Sequence, residues 1–189
     1  MTAAARFAHA ARTSMTSPVW QGISLAPFEP IAALRVIEDL DPIDRLEVQL
    51  GGIQPTPGEM LRQFIIQQAG GAHLQIVYAH RTEGGAEPFA ILGVAEALAS
   101  CTGSAALIAR DHAAWAGPLR RLCAGLRADL PAAMAAAGFR RIEARCWSGH
   151  PTAQRLLRGI GFAFETELHG FGLSETHWLQ FAIVPEKGT

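Results

Sequence analysis

The sequence predicts a single α/β domain in which a mixed β-sheet carries helices on both faces. The chain has 189 residues, of which 49% are hydrophobic and 17% are charged, so one domain can bury a substantial core. The spacing of apolar residues changes from helical to alternating and back again along the chain. Hairpins join the middle strands and helices flank a late strand, an order that requires both antiparallel and parallel pairing.

The first third of the chain is predicted to contain one short strand and three helices. The strand covers residues 22–25 and the first helix covers residues 30–38. The third helix, at 57–69, has an apolar stripe and stops at Gly70, since glycine is common after a helix. The second helix uses Asp41 as its N-cap. Its apolar residues fall on one face: Ile43, Leu46 and Leu50.

Alternating apolar and polar residues predict strands in the middle of the chain. Residues 74–79 alternate, and a turn at 82–85 leads into a second, almost continuously apolar strand at 89–97. This order is typical of a β-hairpin. A further turn at 101–103 precedes a third strand at 105–110.

A long helix dominates the second half. Leucines recur every three or four residues over 119–130, Pro131 is expected to kink or divide the helix, and Gly138 ends it. The next strand, at 141–146, has one polar face. The remaining predicted elements are a helix at 151–160 and strands at 162–168 and 178–184.

Composition argues against several functional classes. The chain carries 16 basic and 17 acidic residues, so it has no net positive field to attract nucleic acid. Lys187 is the only lysine, which argues against a Schiff base or a phosphate-loop lysine. No apolar run reaches the roughly 18 residues of a membrane span. The three cysteines form no C-x-x-C pair and the seven histidines form no H-x-x-x-H pair, so we predict no metal site and a reduced, cytoplasmic protein.

The N-terminal segment has a composition of its own. Glu29 is the first acidic residue, and small residues and two arginines precede it. This composition resembles a transit peptide, although a loose chain end is the simpler interpretation. We therefore predict a flexible tail at residues 1–20 and one domain at residues 21–185.

The last predicted helix carries residues that resemble a known family. Residues 150–162 read HPTAQRLLRGIGF, which resembles the pattern N-x-x-A-x-x-L-Y-x-x-x-G-F of the GNAT N-acetyltransferases. Four residues are in register: Ala153, Leu156, Gly161 and Phe162. His150 takes the place of the Asn. The order of elements over residues 22–184 is also similar to that family.

The resemblance implies a GNAT-type fold that binds acetyl-CoA. In that family the fourth and fifth strands separate, and the pantetheine arm lies between them on the backbone of strand four. The pyrophosphate lies at the start of the next helix, where free amides and the helix dipole attract anions. Here strand four is 105–110 and the anion loop is 111–117. The cofactor-binding residues so implied are Leu107, Ile108, Ala109, Trp115, Ala116, Gly117, His150 and Ala153.

Two positions depart from the family pattern. The phosphate loop usually reads Q/R-x-x-G-x-G/A, whereas residues 110–117 contain a single late glycine and place a carboxylate at Asp111. The tyrosine that often protonates the leaving thiolate aligns with Leu157, which cannot transfer a proton. Residues 39–47 and 88–96 are similar to a divergent branch that bacteriophages encode and that is associated with virions.

Four side chains have both a functional and an ordinary structural interpretation. Glu96 ends a strand that borders the cleft in this fold, and it either takes a proton from a substrate ammonium or is a solvated strand end. His112 either acts as a base or phosphate contact or is an ordinary loop histidine. His150 either contacts the cofactor or caps the helix that Pro151 begins. Trp115 either walls a pocket or belongs to the core.

Two functions follow as alternatives. The first is acetyl transfer from acetyl-CoA to a small-molecule or protein amine by direct attack, with Glu96 or His112 as the base. The second is a GNAT-fold protein that has lost catalysis and serves with partner proteins in an assembly such as a virion, which would place it in the particle. No nucleic acid partner is expected for either function.

Overall fold

The computed structural model of the chain describes residues 20–82, 84–96, 101–173 and 176–185. The tail predicted at residues 1–20 lies outside this part except for Trp20. The elements in chain order are β1 (Ile23–Pro27), α1 (Pro30–Glu38), α2 (Pro42–Leu50), α3 (Pro57–Ala69), β2 (His73–His80), β3 (Ala86–Glu96), β4 (Thr102–Ala109), α4 (Ala116–Ala137), β5 (Arg141–Trp147), α5 (Pro151–Ile160), β6 (Ala163–Leu168) and β7 (Trp178–Ile183).

The strands form one seven-stranded sheet in the order β1-β2-β3-β4-β5-β7-β6. Neighbouring strands are antiparallel except β4 and β5, which are parallel and are connected through α4. A parallel pair needs such a crossover, whereas the antiparallel pair β2 and β3 is joined by a short turn. The predicted α/β domain with a mixed sheet is confirmed.

Two hydrophobic cores cover the two faces of the sheet. One lies against α4 and α5 and includes the fully buried Leu122, Met134 and Phe181. The other lies against α1 and α3 and includes Ile37 and Ile76. Helices therefore pack on both faces, as predicted. Within the described residues, no helix is long and apolar enough to cross a lipid bilayer.

Two differences from the predicted elements have a physical cause. Helix α4 continues through Pro131 instead of dividing there. The proline removes one helical hydrogen bond, but its neighbours Leu130 and Met134 are buried against the sheet, and this packing holds the helix together. Strand β4 begins earlier than predicted, at Thr102, directly after Cys101, whose positive φ of 52° marks a bend in the chain.

Candidate functional site

Strands β4 and β5 separate part-way along their length. Their parallel register ends where Ala105 lies opposite Ala144. Beyond this pair the two strands continue without pairing to each other. We call the gap between residues 106–109 and 145–147 the fork. The separation that the family resemblance implies is therefore present.

The backbone of β4 presents hydrogen-bonding groups to the fork. The amide of Ala109 points into the fork, since it donates to Asp44, whereas the next amide, that of Arg110, donates to Phe89 on β3. Because backbone groups alternate along a strand, the N–H and C=O of Leu107 also point into the fork, beyond the last paired residue. An extended ligand in the fork can pair with Leu107 as a neighbouring strand would.

Helix α2 carries two carboxylates into the fork. The helix follows its N-cap Asp41, and Asp44 and Glu47 lie three residues apart on one face. Asp44 accepts the amide of Ala109 at 2.8 Å, and Glu47 accepts the amide of Trp147 at 2.9 Å. The two side chains thus replace the partners that β4 and β5 no longer provide for each other.

The buried face of α2 differs from the predicted one. Leu46, which the apolar pattern places on the buried face, is 40% exposed, whereas Asp44 is 7% exposed. Turning the carboxylates inward satisfies two backbone amides at the fork, and a buried amide without a partner is costly. Backbone hydrogen bonding therefore outweighs the burial of one leucine.

Two histidines meet Asp44 beside the fork. Nε2 of His150 lies 2.7 Å from Oδ1 of Asp44, and Nε2 of His112 lies 3.2 Å from the same oxygen. Nδ1 of His150 accepts the amide of Ala153 at the start of α5. A nitrogen that accepts carries no proton, so the hydrogen-bond pattern assigns the proton of His150 to Nε2. His150 is therefore both the cap of α5 and a member of this buried cluster.

Hydrogen bonding within the cluster sets its charges. Burial alone raises the pKa of Asp44, but hydrogen bonds from His112 and His150 and the charge of His112 outweigh it, so that this pKa is lowered. Burial opposes the charge of His112, but the hydrogen bond to Asp44 and the charges of Asp44, Asp41 and Asp111 raise its pKa. Both shifts favour an ionised carboxylate paired with a protonated imidazole.

The second carboxyl in the fork has the opposite shift. Burial raises the pKa of Glu47 to about 7, and the charge of Asp44 adds to the rise. The hydrogen bond from the amide of Trp147 opposes the rise without cancelling it. A carboxyl that titrates near neutral pH can take up and release a proton during a reaction.

The cluster also brings three potential metal-ligand atoms within 4.8 Å of one another, on Asp44, His112 and His150. A metal on Nε2 of His150 would require a proton on Nδ1, but Nδ1 faces the N–H of Ala153 as an acceptor. The arrangement therefore fits a hydrogen-bonded ion pair better than a metal centre. A second group in the described part of the chain is exposed to solvent: Glu167, His169 and His177.

The loop before α4 is predicted to bind pyrophosphate, but its backbone amides already donate hydrogen bonds to a carboxylate of the same loop. Oδ1 of Asp111 accepts the amides of Ala113 and Ala114 at 2.9 and 3.0 Å. These bonds hold the pKa of Asp111 below its usual value. An anionic ligand would have to displace this carboxylate, so the departure from the family pattern has a direct structural consequence.

Glu96 lies away from the fork. It ends β3 opposite Gly103, close to the start of β4, whereas the fork opens at the end of β4. Because β3 and β4 are antiparallel, the end of one strand meets the start of the other. The prediction that Glu96 borders the cleft is therefore wrong.

The predicted cofactor-binding residues divide into two groups. Five lie at the fork or line the cavity next to it: Leu107, Ile108, Ala109, His150 and Ala153. Three lie at the start of α4: Trp115, Ala116 and Gly117. The ring of Trp115 stacks on Phe89 at 5.4 Å and packs against the core, as its structural interpretation predicts. A role of these residues in cofactor binding stays a prediction.

Sequence reasoning missed Asp44 and Glu47. The partners of Asp44 are remote in sequence, since Ala109 is 65 residues away and His150 is 106 residues away. The only local signal is the spacing of two acids on one helix face, which is equally typical of a solvated face.

No sequence profile of a known family matches the chain, and no curated protein matches it in sequence. Solved structures do match. An acetyltransferase of the GNAT family from Bacillus anthracis has a TM-score of 0.66 at 14% identity, over 88% of this chain and 96% of that one. The spermidine N-acetyltransferase of Vibrio cholerae, solved with CoA and spermine, has a TM-score of 0.65 at 13% identity, over 88% and 98%.

The ribosomal-protein-S5-alanine acetyltransferase of Vibrio fischeri gives a similar result, with a TM-score of 0.60 at 13% identity over 89% and 96% of the two chains. These comparisons lend no support to the bacteriophage branch. Identities this low concern the fold and do not carry an activity over. The chain has the fold of the GNAT acetyltransferases.

Proposed function

We propose that the protein transfers an acetyl group from acetyl-CoA to an amine. The single observation that carries the proposal is the buried carboxyl of Glu47, with a pKa of about 7, inside a fork where Leu107 offers its backbone to an extended ligand. Glu47 thus supplies proton transfer, and the backbone of Leu107 positions the donor.

The two parts of the donor fit the site unequally. The pantetheine arm contains amides, which can pair with the N–H and C=O of Leu107, and it passes apolar side chains in the cavity. The pyrophosphate fits poorly, because Asp111 already holds the amides of Ala113 and Ala114. The exposed Arg120 lies close by on α4 and offers compensating charge. Recognition of the donor therefore rests mainly on its thioester end.

The reaction needs one proton acceptor and one proton donor. Glu47 accepts a proton from the substrate ammonium, and the free amine then attacks the thioester carbonyl. A C–N bond forms, the C–S bond breaks and sulfur leaves as a thiolate. The thiolate takes a proton from His112, which its raised pKa keeps protonated. As the amide forms, its nitrogen loses its second proton to solvent, and solvent returns a proton to His112. In this proposal His112 is an acid rather than the base that the sequence suggested, while Leu157 stays inert.

The ionised form of Glu47 favours a cationic acceptor. The neighbouring acidic groups already have partners, since Asp44 is bonded to His112 and His150 and the exposed Asp39 pairs with Arg110. An ammonium group is therefore attracted mainly by the ionised carboxylate of Glu47. Polyamines and protein N-termini carry this group, and the Vibrio cholerae relative is named for acting on spermidine.

The test is release of free thiol from acetyl-CoA with a panel of polyamines and of peptides with free N-terminal or lysine amines. Glu47→Gln keeps an oxygen for the Trp147 amide but removes the base, and we expect a loss of at least about a hundredfold in kcat/KM. Glu59→Gln on the exposed side of α3 is the matched control and should retain activity. Absence of thiol release with every amine, together with no binding of CoA at millimolar concentration, would refute the proposal.

A second candidate function is favoured by the backbone amides of the fork and the loop that are already bonded to aspartate side chains. Asp111 on the loop and Asp44 in the fork both fill positions that a donor would use, as expected for a GNAT fold that has become an assembly or interaction protein. This alternative predicts that Glu47→Gln leaves biological function intact and that the protein purifies in fixed stoichiometry with a larger assembly. Turnover of acetyl-CoA with any amine counts against it.

A further inference from the structure

A cavity of about 110 Å³ opens from the fork and runs between the sheet and helices α4 and α5. At the fork it meets the polar groups of Glu47, His112 and His150. Away from the fork its walls are apolar and come from strands β3, β4 and β5, from helices α4 and α5, and from the segment that follows α5. These walls include Val94, Leu126, Leu130, Ile142, Ile160 and Phe162.

The cavity continues beyond the point where the strands join. Ile142 lies opposite Gly103, and Val94 lies opposite Ala105, so both belong to the paired part of the sheet. Leu107, where a thioester arm would pair, is four residues further along β4 than Gly103. At about 3.3 Å per residue, the cavity reaches roughly 13 Å past Leu107 along the strand. An acetyl group has one carbon beyond its carbonyl and leaves most of this depth empty.

The chemistry of the walls matches a hydrocarbon. An apolar cavity of about 150 Å³ in a protein core stays dry and binds benzene, so a cavity of about 110 Å³, the fork included, has room for roughly four carbon atoms. We propose that the acyl donor carries a straight chain of about four to six carbons, with its hydrocarbon in this cavity and its carbonyl near Leu107. The proposal rests on the transfer of an acyl group to an amine proposed above, and it replaces the acetyl group of that proposal with a longer chain.

The test compares acetyl-, butyryl-, hexanoyl- and octanoyl-CoA with one amine acceptor. Each buried methylene strengthens transition-state binding about fourfold, so we expect butyryl- or hexanoyl-CoA to exceed acetyl-CoA about tenfold or more in kcat/KM. Octanoyl-CoA should react less well, because its seven carbons beyond the carbonyl exceed the roughly four that about 110 Å³ can hold. A wild-type protein that prefers acetyl-CoA would overturn the inference.

Two variants move the preferred chain length in opposite directions. Leu130→Ala lengthens the cavity and should shift the optimum toward octanoyl-CoA. Ala144→Val narrows it where the strands join and should shift the optimum toward acetyl-CoA. Leu122→Ala is the matched control, since Leu122 is buried on α4 but does not line the cavity. The preferred acyl chain length of this variant should be that of the wild type. Circular dichroism of each variant tests whether it is folded.

The outcomes separate this inference from the proposed function. If thioesters react but neither cavity variant moves the optimum, the cavity does not hold the acyl chain. If no thioester reacts with any amine, the proposed function fails. Calorimetric titration of acyl-CoA binding then tests independently whether the cavity holds the acyl chain. Equal affinities for acetyl-CoA and butyryl-CoA would overturn the inference, whereas a severalfold tighter butyryl-CoA complex that is weakened in Ala144→Val would support it.

Discussion

At the fork, the N–H and C=O of Leu107 that face β5 have no partner on that strand, whereas in the loop before α4 the amides of Ala113 and Ala114 are already bonded to Asp111. Both regions are predicted to border a bound CoA thioester. The fork combines unpaired backbone groups with the carboxyl of Glu47, whose pKa is about 7. In the loop, by contrast, the amides are hydrogen-bonded to a side chain of the loop itself. The comparison shows that a fold can keep its backbone geometry in one region, the fork, while the sequence changes the hydrogen bonding of another, the loop.

The largest expected effect concerns the stability of the fork. His150→Ala removes the 2.7 Å contact to Asp44 and the cap of α5 together, so it leaves a buried carboxylate with one histidine partner fewer. We expect the free energy of unfolding to fall by about 3 kcal/mol or more. His150→Asn should recover about 1 kcal/mol, since Asn is a good N-cap. Urea denaturation measures both values.

A loss below about 1 kcal/mol for His150→Ala would show that the cluster is not a structural anchor of the fork. Asp111→Ala, which removes the corresponding carboxylate in the exposed loop, should destabilise the protein less than His150→Ala does. The pair of variants therefore tests whether the two regions differ in their dependence on polar side chains.

The next effect is a dependence of stability on pH that comes from Glu47. Its folded-state pKa of about 7 lies above the usual 4.5, so the folded protein holds a proton that the unfolded chain has released between these two values. The stabilising contribution of this group is complete below pH 4.5 and is lost as the pH rises to 7, on the order of 3 kcal/mol in total. Denaturation curves of the wild type and Glu47→Gln between pH 4 and 8 measure the difference.

The difference between the two curves isolates Glu47 from His112, whose raised pKa adds a decline of the same sign. A difference that is constant from pH 4 to 8 would contradict a raised pKa of Glu47. If catalysis uses the ionised carboxylate, kcat/KM should rise over the range in which stability falls.

The smallest expected effect concerns the loop. Asp111→Ala frees the amides of Ala113 and Ala114 and removes a negative charge from the start of α4. We expect CoA to bind about tenfold more tightly, while the affinity for acyl-pantetheine, which lacks the pyrophosphate, stays the same. Calorimetric titration of both ligands measures this contrast. An equal change for both would place the effect of Asp111 elsewhere than on the phosphates.

Local pattern was sufficient to predict most of the fold. Helix α5 shows why, because its start at Pro151 and its end at Gly161, which has a φ of 116°, are set by residues with narrow backbone preferences. The continuity of α4 through Pro131 was not predictable, since it depends on packing against the sheet.

The site was less accessible to prediction than the fold. His112 and His150 were identified from their positions in the pattern, but their common partner Asp44 was not. The apolar spacing predicts that α2 buries the face of Leu46. The unpaired amides that Asp44 and Glu47 accept exist only because β4 separates from β5, which the spacing of residues does not reveal. Glu96 was misplaced because its strand was assigned without its direction relative to β4.

The carboxylates that occupy the amides of Ala109 and Trp147 have a kinetic consequence. Any arm that reaches those amides exchanges one hydrogen bond for another, so little net free energy is gained on binding. Complexes that depend on them should therefore have short residence times, and release of the spent thiol should not limit turnover.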